Sequence, residues 1–398
     1  MTKRKAARTE ETRRVTILGS TGSIGCNTMD LIERDPGAYT VEALTANRSV
    51  EALSRQARQF NAQFVAVADP ACYSELKEAM AGTSAEIAAG PDAIVEAAGR
   101  EADWVMAGIV GAVGLEPTLQ AVRAGGVVAF ANKECLVCAG DLMLQEISKS
   151  GATFLPVDSE HNAIFQVFDF DRRDSVEKII LTASGGPFRE TSLHDMQGVS
   201  PAQAMLHPNW DMGAKISVDS ATMMNKGLEL IEANYLFGIP EDRIDILVHP
   251  QSIIHSMVSY IDGSVLAQLG TPDMRTPIAY TLAWPQRMNA PSERLDLVKI
   301  STLTFEAPDP QRFPALGLAR EALKTGGSAP TILNASNEVA VGGFLDGKLG
   351  FRDIPRVVAD TLEKMPGDII SSVADVLSVD AAARQTAGEI ISDTRLRV

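Results

Sequence analysis

The chain has 398 residues, 45% of them hydrophobic, and carries 36 basic against 51 acidic side chains, a formal charge of −15. A chain of this length buries a sizeable core in two or three domains without disulfide staples, and the acidic balance excludes nucleic acid and anionic membrane as main partners. No apolar run reaches the roughly 18 residues that span a bilayer, and the N-terminus lacks the apolar core of a signal peptide, so the sequence predicts a soluble, cytoplasmic protein.

Residues 1–14 are charged and polar and read as a frayed leader. From there, short apolar runs at 15–18, 41–45, 64–68, 104–107, 127–131 and 154–157 alternate with helical spacing at 49–60, 116–124 and 134–147. That alternation predicts an α/β fold with an N-terminal Rossmann-like, doubly wound sheet over 15–157, whose ligand lies at the carboxyl ends of the strands. Over 158–289 the pattern changes. Runs at 178–182, 244–248, 253–261 and 265–269 read as strands, the last two flanking the hairpin signal Asp262-Gly263, and predict a central α+β domain for catalysis, metal binding and dimerisation. An exposed hairpin strand pairs readily with its twin, so a homodimer is expected. Residues 290–314 read as a connecting segment, and 315–325, 335–345, 355–364 and 368–391 as the helices of a C-terminal helical domain over 315–398.

The first chemical signal is Gly19-Ser-Thr21-Gly22-Ser23-Ile24-Gly25, a glycine loop between a strand and a helix. Backbone amides and a helix N-terminus in this order hold a pyrophosphate, so a dinucleotide is expected. At the end of the second strand, where an acid would grip the ribose diol of NAD, stand Asn47, Arg48 and Ser49. A cation there pairs with a 2′-phosphate and favours NADPH; a solvated surface arginine is the alternative.

Pro156-Val-Asp158-Ser159-Glu160 puts two carboxylates two residues apart after an apolar run. In an extended chain these side chains share a face, and with Glu229 they would gather three negative charges, a conflict that a hard divalent cation resolves. Solvated carboxylates in the same pattern are commoner. Ser184 with Gly185 and Gly186, Ser217 to Ser220, and Asn225-Lys226 form an oxyanion set suited to a phosphate, although each also serves as a cap or turn. Lys133, just past a strand, can stabilise an enolate or alkoxide or be an ordinary helix-start lysine. The segment His207-Pro-Asn-Trp210-Asp-Met212-Gly213 can close over a substrate, or be a surface loop anchored by its tryptophan. Cys135-x-x-Cys138 has no second pair to complete a zinc site and reads as two buried small side chains.

Taken together, GSTGSIG (19–25), NKE (132–134), PVDSEHNAIFQ (156–166), LTASGGPFR (181–189), LHPNWDMGAKISVDSATMMNKGLE (206–229), VHPQSIIHSMV (248–258) and NASNEVAV (334–341) resemble the 1-deoxy-D-xylulose 5-phosphate reductoisomerase family over nearly the whole chain. The resemblance implies conversion of that sugar phosphate with NADPH into 2-C-methyl-D-erythritol 4-phosphate, in the non-mevalonate isoprenoid pathway. It implies Asp158, Glu160 and Glu229 as ligands of magnesium, manganese or cobalt, and a catalytic set of these three with Lys133 and His207. Substrate contacts implied are Ser159, Glu160, Ser184, His207, Trp210, Met212, Ser220, Asn225, Lys226 and Glu229. Those to the cofactor are Gly19, Thr21, Gly22, Ser23, Ile24, Asn47, Arg48, Ser49, Asn132, Glu134 and Gly213. Asn47, Ser49 and Cys135 stand where the family often has other residues. Two rival readings are a plain NADP-dependent sugar-phosphate dehydrogenase and a non-catalytic NADPH-sensing module.

Overall fold

A computed structural model describes residues 12–206, 210 and 213–395, so His207 and Met212 lie outside the described residues. The chain forms two compact units. Residues up to 132 join 146–157 and 274–291 in the first; 133–145, 158–273 and the chain from 292 onward form the second.

The first unit is built on seven parallel strands: β1 (Arg13–Leu18), β2 (Tyr39–Ala46), β3 (Phe64–Val67), β4 (Glu86–Ala89), β5 (Trp104–Ala107), β6 (Val127–Phe130) and β7 (Thr153–Pro156). Their order is β4-β3-β2-β1-β5-β6-β7, so strand order reverses between β1 and β5. This is the switch point at which a doubly wound sheet opens a crevice, and the glycine loop follows β1 there. Val15, Ile17, Leu44, Val65, Val67 and Met106 are all fully buried, as parallel strands covered on both faces require. β4 escaped the sequence reading because it is the sheet's edge. Its Glu86-Ile-Ala-Ala run is only part-buried and lacks a β-branched series.

Segment 274–289, expected with the central domain, packs within the first unit together with 290 and 291. Its helix Arg275–Ala283 lies on the helix Ser23–Glu33, burying Ile278, Ala279 and Leu282, with Arg275 Nη1 3.2 Å from Asp30.

In the second unit β8 (Val176–Ala183), β9 (Ile244–Val248), β10 (Ile254–Tyr260) and β11 (Val265–Leu269) form a mixed sheet in the order β11-β10-β8-β9. β10 and β11 make the expected antiparallel hairpin, with Gly263 at φ +86° and Asp262 Oδ1 accepting from the Ser264 amide. Helices Ala315–Thr325, Ala329–Leu345, Asp353–Lys364 and Val373–Arg395 follow. Phe344, Val357 and Ile390 from these helices share one core with Ile179, Leu181 and Val258 of the sheet. Among the described residues no helix is long and apolar enough to cross a membrane.

Candidate functional site

In the first unit the glycine loop is braced from beneath. The Gly19 amide donates to Thr45 Oγ1 (2.9 Å), the Ser20 amide to the Thr45 carbonyl (2.8 Å), and Ser20 Oγ to Gln56 Oε1 (2.8 Å). Gly19 sits at φ +81°, and a side chain on Gly25 would collide with the loop backbone, so the tight turn depends on both glycines. Gly22 is the extended residue before the helix Ser23–Glu33, with Gly22 and Ser23 exposed and Thr21 and Ile24 half-buried. The amides of that helix's first turn are therefore at the sheet's carboxyl edge, the arrangement that favours a pyrophosphate. Asn47, Arg48 and Ser49 are exposed just past β2, and Arg48 Nε is 2.7 Å from Asp69 Oδ2. The Asn132 side-chain amide donates to the carbonyls of Ile109 and Gly111, which ties down the loop after β5.

The second unit gathers the rest. Asp158 caps the helix Ser159–Val167, its Oδ1 accepting from the amides of Glu160 (3.1 Å) and His161 (3.4 Å). The two carboxylates thus converge through a helix N-terminal turn and not, as the sequence suggested, through alternation along a strand: the extended run ends before Asp158. Glu229 lies one turn into the helix Met224–Phe237, almost fully buried. Carboxylate oxygens of Asp158, Glu160 and Glu229 all lie within 4.8 Å of one another.

Two ammonium groups enter this cluster. Lys133 Nζ donates to Asp158 Oδ2 (2.5 Å), Asn225 Oδ1 (3.1 Å) and Glu229 Oε1 (3.1 Å), and Lys226 pairs with the other Glu229 oxygen. Asn225 Nδ2 donates to Glu229 Oε1 (2.6 Å), the four-residue spacing placing both on one helix face. Burial opposes every charge here, but the neighbours decide the outcome. Lys133, Asp158 and Lys226 are driven further toward their charged forms by their partners. Glu160 goes the other way: burial, reinforced by Glu229 and Asp158 and only partly offset by Lys226, pushes its carboxyl up to about 8. One buried and two half-buried carboxylates, an all-oxygen donor set that already hosts an ammonium, and one acid that cannot ionise comfortably beside the others fit a hard divalent cation held by Asp158, Glu160 and Glu229.

Ser184 follows β8, and its Oγ accepts from the Gly186 amide (3.2 Å). Gly186 has φ +68°, and a Cβ there would come 2.7 Å from the Ser220 carbonyl oxygen, so the loop and the helix Ala214–Thr222 touch only because that residue is glycine. Ser184, two residues before Gly186, is thereby brought to the end of the helix that carries Ser220. Met223, between Ala214–Thr222 and Met224–Phe237, adopts a left-handed conformation (φ +65°) that turns the chain so Ser220 and the Asn225-Lys226 pair flank the same corner. Sequence reasoning missed Met223, since nothing in a methionine signals a positive φ.

Ser159 Oγ donates to Glu160 Oε2 (2.9 Å), beside the cluster. Glu134 is buried and bound to Lys215 Nζ (3.0 Å), whose ammonium outweighs burial and holds the acid below its usual range. Gly213 is exposed and opens the helix that carries Lys215. Trp210 is half-buried, its ring centroid 6.4 Å from that of His255. Cys135 and Cys138 are buried and unbridged, and burial pushes the Cys138 thiol up, which favours an inert thiol.

A further pair went unrecognised in the sequence. His161 is completely buried, its Nε2 donating to the Glu229 carbonyl (2.9 Å) while Nδ1 faces Glu232 Oε2 (2.9 Å) and Asp158 Oδ1 (3.5 Å). Against the effect of burial, these carboxylates raise His161 to about 9. The sequence signals were His161's place beside the carboxylates of Asp158 and Glu160, and Glu232's three residues beyond Glu229 on the same helix face.

Comparison with known proteins agrees along the whole chain. Residues 15–140 match the 1-deoxy-D-xylulose 5-phosphate reductoisomerase family, 154–237 that family's C-terminal domain, and 269–386 the DXP reductoisomerase C-terminal domain. The chain is 62% identical to the 1-deoxy-D-xylulose 5-phosphate reductoisomerase of Rhodospirillum centenum, covering 96% of this chain and 95% of that one. It is 58% identical to the Zymomonas mobilis enzyme over 95% and 98%. A solved structure of the reductoisomerase from Zymomonas mobilis in complex with NADPH superimposes with a TM-score of 0.92 at 57% identity, covering 96% of this chain and 99% of that one. Another DOX-P reductoisomerase, in complex with NADPH, fosmidomycin and magnesium, gives 0.91 at 42% identity over 96% and 99%. With this identity extending over the glycine loop, the carboxylate cluster and the C-terminal helices alike, the chain belongs to the 1-deoxy-D-xylulose 5-phosphate reductoisomerase family.

Proposed function

We propose that this protein converts 1-deoxy-D-xylulose 5-phosphate and NADPH into 2-C-methyl-D-erythritol 4-phosphate and NADP, by rearrangement of the carbon skeleton followed by hydride transfer to the resulting aldehyde. The observation that carries the reading is the convergence of Asp158, Glu160 and Glu229 within 4.8 Å, next to the cation-and-amide pair Asn225-Lys226. The first unit binds NADPH: Gly19 and Gly22 shape the loop, the amides of Thr21, Ser23 and Ile24 take the pyrophosphate, and Arg48, with Asn47 and Ser49 beside it, takes the 2′-phosphate. Asn132, just past β6, belongs to the same site.

The second unit holds the sugar phosphate. Ser184, Ser220, Asn225 and Lys226 offer hydroxyls, an amide and an ammonium to the phosphate, remote from the bonds that change, so binding energy there lowers the barrier to rearrangement. Ser159 and Glu160 meet the sugar hydroxyls, and Lys133 presents its ammonium to the oxygen on which charge develops. A divalent cation on Asp158, Glu160 and Glu229, whether magnesium, manganese or cobalt, supplies Lewis acidity when bound. Trp210 belongs to the segment that excludes water, and His207 and Met212 are assigned to the substrate's contacts.

We further assign the protein to the cytoplasm as a homodimer, joined along β11. That strand is the sheet's outer edge, and Val265, Leu266 and Leu269 on it are exposed, as is Ile261 at the turn.

The reading is tested by product identification with and without EDTA, because a branched polyol phosphate cannot arise from simple reduction of the substrate. Glu229→Gln keeps the side chain's size, so turnover should fall by at least ~10²–10³-fold while NADPH still binds. A near-normal rate in that variant, or turnover indifferent to chelator, removes the cluster from the chemistry.

A further inference from the structure

The three acids that converge come from two helices far apart in sequence, and something must hold those helices in register to a fraction of an ångström. Asp158 and Glu160 open Ser159–Val167; Glu229 rides on Met224–Phe237. Between them stands His161, with no solvent exposure, whose Nε2 donates to the backbone carbonyl of Glu229 itself at 2.9 Å. A carbonyl only accepts, so Nε2 carries the proton, and the ring's orientation is left to whatever meets Nδ1. What meets it is Glu232, one turn beyond Glu229 and 1% exposed, with Oε2 2.9 Å from Nδ1. The two atoms, neither of which has another hydrogen-bond partner among the described residues, face each other as a buried ion pair, with Asp158 Oδ1 3.5 Å from the same nitrogen. Phe237 closes over the imidazole, ring centroids 6.4 Å apart.

Burying a carboxylate here is costly, and an apolar side chain would fill the space more cheaply. The cost makes sense if the acid's task is to fix the imidazole. We propose that Glu232 is a positioning residue for the divalent cation: acting through His161, it braces the two ligand-bearing helices so that Asp158, Glu160 and Glu229 meet at one point. It touches neither substrate nor cofactor in this role. The inference rests on the cation reading given above and adds to it a residue that sets how tightly the cation is held.

The test is a titration of the full-length, NADPH-loaded protein with Mn2+, followed by electron paramagnetic resonance of the free ion. Glu232→Gln preserves volume but removes the acid, and the cation Kd should weaken by about 10–100-fold, as outer partners of metal sites typically cost when removed. The Mg2+ concentration for half-maximal turnover should rise in parallel, while kcat at saturating Mg2+ stays within about threefold of wild type and NADPH affinity is unchanged. A merely structural role would lower thermal stability and leave the cation Kd where it was. A folded Glu232→Gln protein with wild-type cation affinity therefore overturns the proposal. Should that variant fail to fold, Glu232→Asp, which keeps the charge but withdraws it from Nδ1 by one methylene, should still weaken Mn2+ several-fold, and unchanged affinity there overturns it equally. Failure of the underlying reading looks different: Glu229→Gln would then bind Mn2+ as wild type does, and the proposal falls with it.

Discussion

Glu160 is the side chain at which the site's electrostatics become measurable. In the cation-free protein its carboxyl is raised by burial and by Glu229 and Asp158, whereas an unfolded chain ionises it in the ordinary range. Between that range and about 8 the fold retains a proton that the unfolded chain has released, so this group's contribution to stability falls as pH rises through that window. A divalent cation bound there as proposed would replace the proton. Cation binding at neutral pH should therefore release close to one proton, read calorimetrically in buffers of different ionisation enthalpy, and apparent cation affinity should climb as pH approaches 8, by up to ~10-fold per unit. Affinity flat across that range would mean Glu160 is not a ligand. At this scale the sequence disclosed the three acids and their neighbours, but by partly the wrong route. Asp158-Ser159-Glu160 reads as strand alternation because an apolar run precedes it, yet Asp158 is a helix cap whose Oδ1 is engaged with the amides of Glu160 and His161. His161 and Glu232 stayed hidden because a lone histidine and a helical glutamate look alike whether solvated or buried.

Between elements, the closest approach that matters is that of the Ser184-Gly185-Gly186 loop to the helix Ala214–Thr222. Gly186→Ala would put a methyl 2.7 Å from the Ser220 carbonyl oxygen in a backbone conformation that disfavours side chains. The loop must lift, and Ser184 with it. The variant should lose about 1–3 kcal/mol in urea unfolding and raise KM for the sugar phosphate more than it lowers kcat. Stability lost with KM unmoved would take the loop out of the phosphate site. The glycines, serines and the strand before them were legible as a loop after β8, because Gly-Gly after an apolar run is a breaker. Their grouping with Ser220 was legible as an oxyanion set; that the contact runs through Gly186 and the Ser220 carbonyl was not, nor was the left-handed turn at Met223, which no residue type announces. Similarly, the helix Ala329–Leu345 starts six residues before the expected 335, with Pro330 in its first turn, where proline's missing amide costs nothing.

For the molecule as a whole, periodicity showed several of the helices, but not Arg275–Ala283, and not which unit owns a segment. Residues 133–145 and 274–291 each belong with a unit other than their sequence neighbours', and an amphipathic stripe carries no record of the surface it covers. Oligomeric state has the same character, although here the sheet itself leaves a mark. β11 ends its sheet with exposed Val265, Leu266 and Leu269, about half, half and a third accessible, on an edge with no charged residue of its own. Edges of this kind in a stable monomer are usually blunted by lysine or proline, and this one is not. If two copies meet along it, Leu266→Lys puts a buried, unpaired charge at the contact while leaving the β10–β11 hairpin its Asp262-Gly263 turn. The dimer Kd should then rise by about 100-fold, roughly 3 kcal/mol, seen in sedimentation equilibrium as monomer at concentrations where the parent protein is dimeric. A parent protein that sediments as a monomer, or a variant as dimeric as the parent, would show that β11 is not where copies meet.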